Sequence, residues 1–202
     1  MIEAASGIGS QARAVAILCM LLAGGSGIAS VSGALELSDR SAQKLEPLPE
    51  GTPAADLVVR FSEAMLRARG RDRQARSALL IVLAVSLWFT FVAAGRVLRP
   101  GGLPREGIRR LLGSSALVSA GLRAVDGAAD AAFFLRVSRM AQQLGPPAGP
   151  EASVEWLLRP TFLVGMSLLR TLLVAGALAI IAQYFRSARV KAWAALEDRV
   201  PR

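Results

Sequence analysis

Residues 77–98 read SALLIVLAVSLWFTFVAAGRVL, an apolar stretch in which Arg96 is the only charged residue. A helix rises about 1.5 Å per residue, so a stretch of this length crosses a hydrocarbon core of about 30 Å. Arginines precede it between Arg67 and Arg76, and Pro100-Gly101-Gly102 follows it and stops the helix. The stretch therefore predicts a transmembrane helix, and with it a membrane protein.

Three further segments share this composition, although the third is the least apolar. The predicted spans are residues 14–35, 77–98, 110–136 and 161–185. The chain has 202 residues, 53% of them hydrophobic, and a mean hydropathy of +0.44. We therefore expect one all-α membrane domain, a polytopic four-transmembrane-helix bundle.

The first apolar segment has two interpretations, because a signal peptide also begins with an apolar run. The region before it carries Arg13 and is offset by Glu3, and the apolar part is longer than a usual signal-peptide core. We favour a retained span over a cleaved one. Gly24 and Gly27 in this segment would let a neighbouring helix approach closely.

Residues 36–76 form the longest polar connection, and an amphipathic helix is predicted within it at 53–69. Thr52 is a suitable N-cap and Pro53 suits the first helical position. An apolar face follows at helical spacing, formed by Leu57, Val58, Phe61, Met65 and Leu66. This helix either packs on its own domain or lies at the membrane interface, where it would bind a partner.

The net charge of +9 comes from 22 Arg and two Lys against 15 acidic residues. These cations flank apolar segments, as expected for residues that anchor helix ends at lipid headgroups, so the expected partner is the lipid bilayer and not nucleic acid. Four spans place both termini on one side. The basic tail after residue 185 favours the cytoplasm (N-in/C-in), whereas the Arg67–Arg76 cluster argues against it. The preference for Arg and Ala over Lys is typical of bacteria with GC-rich genomes, so an inner-membrane location is expected.

The chain has no histidine and a single cysteine, Cys19. This composition excludes an internal disulfide, a zinc site of the usual Cys/His type, haem held by histidine, and Ser-His-Asp or Cys-His catalysis. No catalytic, cofactor-binding or metal-binding residue is therefore predicted.

The third segment carries charges where an apolar face would be expected. On a helix, Ser119, Arg123, Asp126 and Asp130 fall on one face together with Ser115, at spacings of three and four residues. The narrow sector suited to lipid holds Val118, Leu122, Val125 and Ala129. A third face is a ridge of small residues that would allow close helix packing, formed by Ala116, Ala120, Ala124, Ala128 and Ala132.

Charged groups at this depth need partners, because each costs about 2.5–3.5 kcal/mol to insert. Arg123 and Asp126 are close enough along the helix to pair. If the third and fourth spans are antiparallel, Arg170 lies at a similar depth, so an Arg170 contact with Asp126 or Asp130 is predicted. The charges have three interpretations: a buried network that fixes helix register, a water-filled cavity or ligand site, or a segment that lies partly outside the membrane.

Three functions fit these features to different degrees. The favoured one is a non-enzymatic accessory or scaffold subunit that acts through helix packing and binding to other membrane subunits or to copies of itself. The alternative is an ion or proton transporter or channel component that uses the Arg/Asp cluster. An intramembrane enzyme is disfavoured, because both aspartates lie on one helix face whereas acid/base dyads draw one carboxylate from each of two elements.

Overall fold

A computed structural model describes residues 2–38, 73–143 and 160–198, and these residues are almost entirely helical. The helices are α1 (Ile2–Ser38), α2 (Arg73–Leu98), α3 (Arg105–Gln143), α4 (Pro160–Arg186) and α5 (Ala188–Glu197). Each of the first four contains one predicted span and is longer than it. The predicted amphipathic helix at 53–69 lies outside the described residues.

Successive long helices run antiparallel, as the order of their contacts shows. Gly24 faces Phe91 of α2, and Gly33, further along α1, faces the earlier Leu80. In the same way Ser119 of α3 contacts Ser86 of α2, and Asp130, further along α3, pairs with the earlier Arg76. Gly113 of α3 faces Phe185 of α4, and the later Gly127 faces the earlier Thr171. We call the end where α1 begins and α2 ends the near end, and the opposite end the far end.

Gly24 and Gly27 of α1 face α2. A Cβ built at Gly27 would lie 3.7 Å from Leu87 Cβ, and one at Gly24 would lie 3.5 Å from the Phe91 ring. These are ordinary van der Waals distances, so a methyl group would fit at both positions and the approach of the two helices does not require glycine there. The prediction that these glycines permit a closer approach is therefore not confirmed.

Three helices in the described part of the chain are long and apolar enough to cross a membrane. They are α1 over Gly7–Ser38, α2 over Arg73–Leu98 and α4 over Thr161–Arg186. α3 has the length, with 39 residues, but carries nine charged residues and does not qualify. The predicted count of four spans is therefore not confirmed, because the charges of α3 offset its apolar residues.

The largest core cluster lies at the near end and joins all five helices. After Ser187, whose extended backbone ends α4, α5 packs Trp193 beside Gly9 of α1. The two termini of the described chain therefore lie at the same end. The buried members of this cluster are Ala12, Ala16, Cys19, Ala93, Ala94, Val97, Ile108, Leu112, Ile181, Phe185, Val190, Trp193 and Ala194.

The turn between α2 and α3 depends on two glycines. Gly101 and Gly102 have φ angles of +56° and +82°, a region that residues with a Cβ rarely adopt. α3 then begins with its first amides bound by a carboxylate from the end of α5: Arg105 N and Glu106 N donate to Asp198 at 2.8 and 3.1 Å. This cap fixes the start of α3 against the end of α5.

Candidate functional site

The polar face of α3 points into the bundle. Its residues continue a line of buried positions that alternate at spacings of four and three, which keeps a helix turned toward the same neighbours. Asp130 is partly buried and the other members are buried. In order, the line comprises Leu112, Ala116, Ser119, Arg123, Asp126, Asp130, Phe133 and Val137. We call its four polar members, Ser119, Arg123, Asp126 and Asp130, the polar seam.

Arg123 and Asp126 form the most deeply buried charged pair. They are 6% and 2% exposed, and Arg123 Nη1 donates to Asp126 Oδ2 within one turn of the helix. Arg123 Nε and Asp126 Oδ1 are also buried and have no hydrogen-bond partner in the described part of the chain. Burying both ions is costly, and the attraction between them offsets this cost only while both charges are present.

Asp130 pairs with a residue that the sequence treated only as a flanking cation. Arg76, in the first turn of α2, forms a salt bridge with Asp130, and both side chains are about four-fifths buried. The Arg76 guanidinium also lies 5.2 Å from the centroid of the Phe133 ring, a cation–π distance. This pair ties the start of α2 to the middle of α3.

Arg170 does not form the predicted contact. It is exposed, and among the described residues it makes no ion pair with Asp126 or Asp130. Its neighbour Thr171 faces α3, and adjacent residues on a helix point about 100° apart. Arg170 is therefore turned away from the α3 contact.

Ser119 belongs to a cluster of three hydroxyl groups near the middle of the bundle. Its Oγ lies 2.8 Å from Ser86 Oγ and 3.0 Å from Thr90 Oγ1, both on α2. Thr90 Oγ1 also lies 3.0 Å from the Ser86 carbonyl oxygen. From the far end toward the near end, the polar seam thus consists of two ion pairs and then a group of hydrogen-bonded hydroxyls. The apolar near-end core lies beyond these hydroxyls.

The predicted alanine ridge is only half buried. Ala116 and Ala120 are buried, whereas Ala124, Ala128 and Ala132 are exposed. A four-residue step advances about 40° beyond a full turn, so a strict row of this kind winds from the bundle interior to its outer surface.

The close contact with α4 uses a different row of small residues, spaced by seven. A Cβ at Gly113 would lie 3.8 Å from Phe185 Cβ, and one at Gly127 would lie 2.6 Å from Thr171 Cβ. Ala120, midway between the two glycines, shares a core cluster with Leu178 of α4. We call Gly113, Ala120 and Gly127 the small-residue row. A seven-residue step falls only about 20° short of two turns, so the row stays on one face.

A second group of charges lies at the near end. Glu106 accepts hydrogen bonds from Arg109 at 2.7 and 2.8 Å and from Arg110 at 2.7 Å. The hydrogen bond from Arg109, with a smaller contribution from Arg110, lowers the pKa of Glu106 from 4.5 to about 2. The same hydrogen bond raises the pKa of Arg109, whose Nη1 also donates to the Phe185 carbonyl at 2.5 Å. Glu106 is therefore ionised at neutral pH, and Arg109, which it holds, joins α3 to α4.

Several of these residues were not identified from the sequence. Ser86 and Thr90 are single hydroxyls in an apolar span and carry no distinguishing pattern. The glycines at 113 and 127 had a readable signal, since small residues recur at 113, 120 and 127.

Comparison with protein-family models, with curated proteins and with solved structures gave no match to this chain.

Proposed function

We propose that this chain is a non-enzymatic multi-pass protein of a cell membrane, an accessory or scaffold subunit in which α3 is the fourth span. The inward orientation of the charged side chains of α3 supports this assignment. Arg123 and Asp126 are paired and buried, so the sector of α3 that would meet lipid or a partner is apolar from Leu117 to Leu135. Both termini would then lie on one side, in an N-in/C-in arrangement.

The observation that carries the scaffold role is the outer surface of α3. The exposed positions in its middle are mostly small, while the outer surfaces of the other long helices expose large side chains such as Leu21, Trp88 and Leu172. Helices in membranes associate where small residues allow their backbones to approach. Between residues 118 and 132 the exposed α3 positions are Val118, Gly121, Ala124, Val125, Ala128 and Ala132, and the larger exposed side chains of Leu117 and Leu135 flank them.

We infer that a transmembrane helix of another subunit, or of a second copy, packs on this surface. A Cβ added at Gly121 would have no neighbour within 4 Å, so Gly121→Leu adds bulk on the outside without disturbing the bundle. We expect this variant to fold normally and to lose the membrane proteins that co-purify with the wild type.

Gly25 provides the matched control, because it is exposed on α1 and also has no neighbour within 4 Å of an added Cβ. Gly25→Leu should keep the co-purifying proteins. The proposal fails if the wild type is a monodisperse monomer without partners, or if Gly121→Leu retains every partner.

The second candidate function is transport of a proton or ion, and the polar seam favours it. It carries two ion pairs and a hydroxyl cluster within the packed bundle, and ionisable groups inside membrane domains often line such pathways. The measurement is flux in proteoliposomes. A flux that persists in the Asp126→Asn and Asp130→Asn variants would reject this role.

A further inference from the structure

Six cations project from the near end of the bundle and come from four helices and the turn after α2. All six are exposed, and within the described part of the chain none of their side chains forms an ion pair or a hydrogen bond. We call them the cation belt: Arg13, Arg96, Arg99, Arg186, Arg189 and Lys191.

The members of the belt lie within a few helical turns of one another at the near end. Arg96 and Arg99 flank the end of α2, and Arg186 ends α4. Met20 of α1 lies near Gly95, so Arg13, two turns earlier along an antiparallel helix, is level with the chain just beyond α2. Because Trp193 lies beside Gly9 of α1, the cations of α5 are held at this end too.

The three acidic side chains that the structure describes at this end already have partners. Glu106 is bound by Arg109 and Arg110. Glu197 lies 3.1 Å from Arg105, and the carboxylate of Asp198 caps α3. The positive charge of the belt is therefore not compensated by these three carboxylates.

A small pocket opens beside one member of the belt. Arg96, Arg105 and Arg109 line it, with an apolar floor that includes Val97, Ile108 and Trp193. Arg105 and Arg109 are held by their carboxylates, whereas the Arg96 guanidinium is exposed. Arg96 thus offers hydrogen-bond donors next to an apolar surface, an arrangement suited to a phosphate group attached to an acyl chain.

We propose that the cation belt is a binding surface for the headgroups of anionic phospholipids, with one phosphate at Arg96. The belt lies where α2 leaves its apolar segment, which is the level of lipid phosphates in a bilayer. Lysines and arginines near such a surface each favour anionic over zwitterionic lipid by about fivefold. The surface is thus selective for lipid charge, and this selectivity does not depend on whether a protein partner binds α3.

The experiment compares bound lipid classes on the purified full-length protein. The protein is equilibrated with mixed micelles of equal phosphatidylglycerol and phosphatidylcholine, re-isolated by size exclusion, and its bound lipids are quantified by class. The wild type should retain phosphatidylglycerol at least about fivefold over phosphatidylcholine. A variant with Arg96→Gln, Arg99→Gln, Arg189→Gln and Lys191→Gln, which removes the proposed phosphate site and three further cations, should show a preference for phosphatidylglycerol at least about fivefold lower than that of the wild type.

A matched control removes the same number of charges elsewhere, with Arg67→Gln, Arg69→Gln, Arg71→Gln and Arg139→Gln, and should keep the wild-type preference. If the control loses the preference equally, net charge and not the belt is responsible, and the proposal is wrong. Equal binding of both lipids by the wild type would also overturn it, as would displacement of phosphatidylglycerol by soluble glycerol phosphate. Should the belt variant not fold, the wild type decides alone: its preference must fall in about 0.5 M NaCl, where charges beyond a few ångströms are screened.

Discussion

Adding one methyl group at Gly127 is predicted to force α3 and α4 apart. The new Cβ would lie 2.6 Å from Thr171 Cβ and would overlap both branches of that side chain. Thr171 cannot easily turn away, because it is β-branched and its hydroxyl donates to the Ser167 carbonyl at 2.8 Å. The two helices must therefore shift.

The size of the effect follows from two opposing terms. Overpacking a tight contact costs about 1–3 kcal/mol, while replacing glycine by alanine within a helix gains about 1 kcal/mol. We expect Gly127→Ala to lower the free energy of unfolding by up to about 2 kcal/mol. Gly121→Ala, six residues earlier and without a neighbour, should raise it by up to about 1 kcal/mol.

The assay is reversible unfolding in mixed detergent micelles, with both alanine variants measured beside the wild type. Thr171→Ala removes the two atoms nearest the new methyl group, so the double variant should recover part of the loss in a double-mutant cycle. The close α3–α4 contact is refuted if Gly127→Ala is as stable as Gly121→Ala, or if the cycle gives no coupling.

Three further predictions concern the charged groups. Asp126→Asn should leave Arg123 buried without a counter-charge and lower the free energy of unfolding by about 3–5 kcal/mol. Leucine at both positions should recover most of the lost stability. A single variant as stable as the wild type would exclude a buried pair. Asp198→Ala should cost about 1 kcal/mol and speed hydrogen exchange at the amides of Arg105 and Glu106, because the α3 cap is lost; unchanged exchange would contradict it. Glu106 has its pKa lowered from 4.5 to about 2, so its stabilising contribution is present above pH 4.5 and disappears as the pH falls toward 2. The difference in stability between the wild type and Glu106→Gln should therefore shrink over that range, and a difference independent of pH would contradict the ion pair.

The apolar runs were sufficient to predict where the long helices lie. Pro100 and the two glycines after it also end α2 as expected. The runs did not predict the extent of α1, which begins at Ile2 and not at residue 14. Residues 2–13 contain no helix breaker of the Pro-Gly kind, and their contact with Trp193 arises only in the folded chain. Hydropathy identifies the part of a helix that is apolar enough to contact lipid. It does not identify the helical turns that extend beyond that part.

The position of Arg123, Asp126 and Asp130 on one face of α3 could also be predicted, since it follows from helical periodicity alone. The partner of Asp130 could not be predicted. Choosing between Arg170 and Arg76 requires the rotation of α4 about its axis, and the Thr171 contact with Gly127 sets that rotation. A pattern within one helix carries no information about how its neighbour is turned.

We propose that α3 is a transmembrane helix with its charges inside the bundle, and cysteine labelling tests this claim most directly. Val125 is 56% exposed on the outer surface of α3, so in a protein with Cys19→Ala only lipid or a bound partner can protect a cysteine placed there. We predict that Val125→Cys in intact membranes resists a water-soluble maleimide and reacts after detergent is added, while Leu103→Cys, in the exposed α2–α3 turn, reacts when the reagent reaches its side. Labelling of Val125→Cys in intact membranes as rapid as that of Leu103→Cys would contradict the claim and place α3 outside the bilayer.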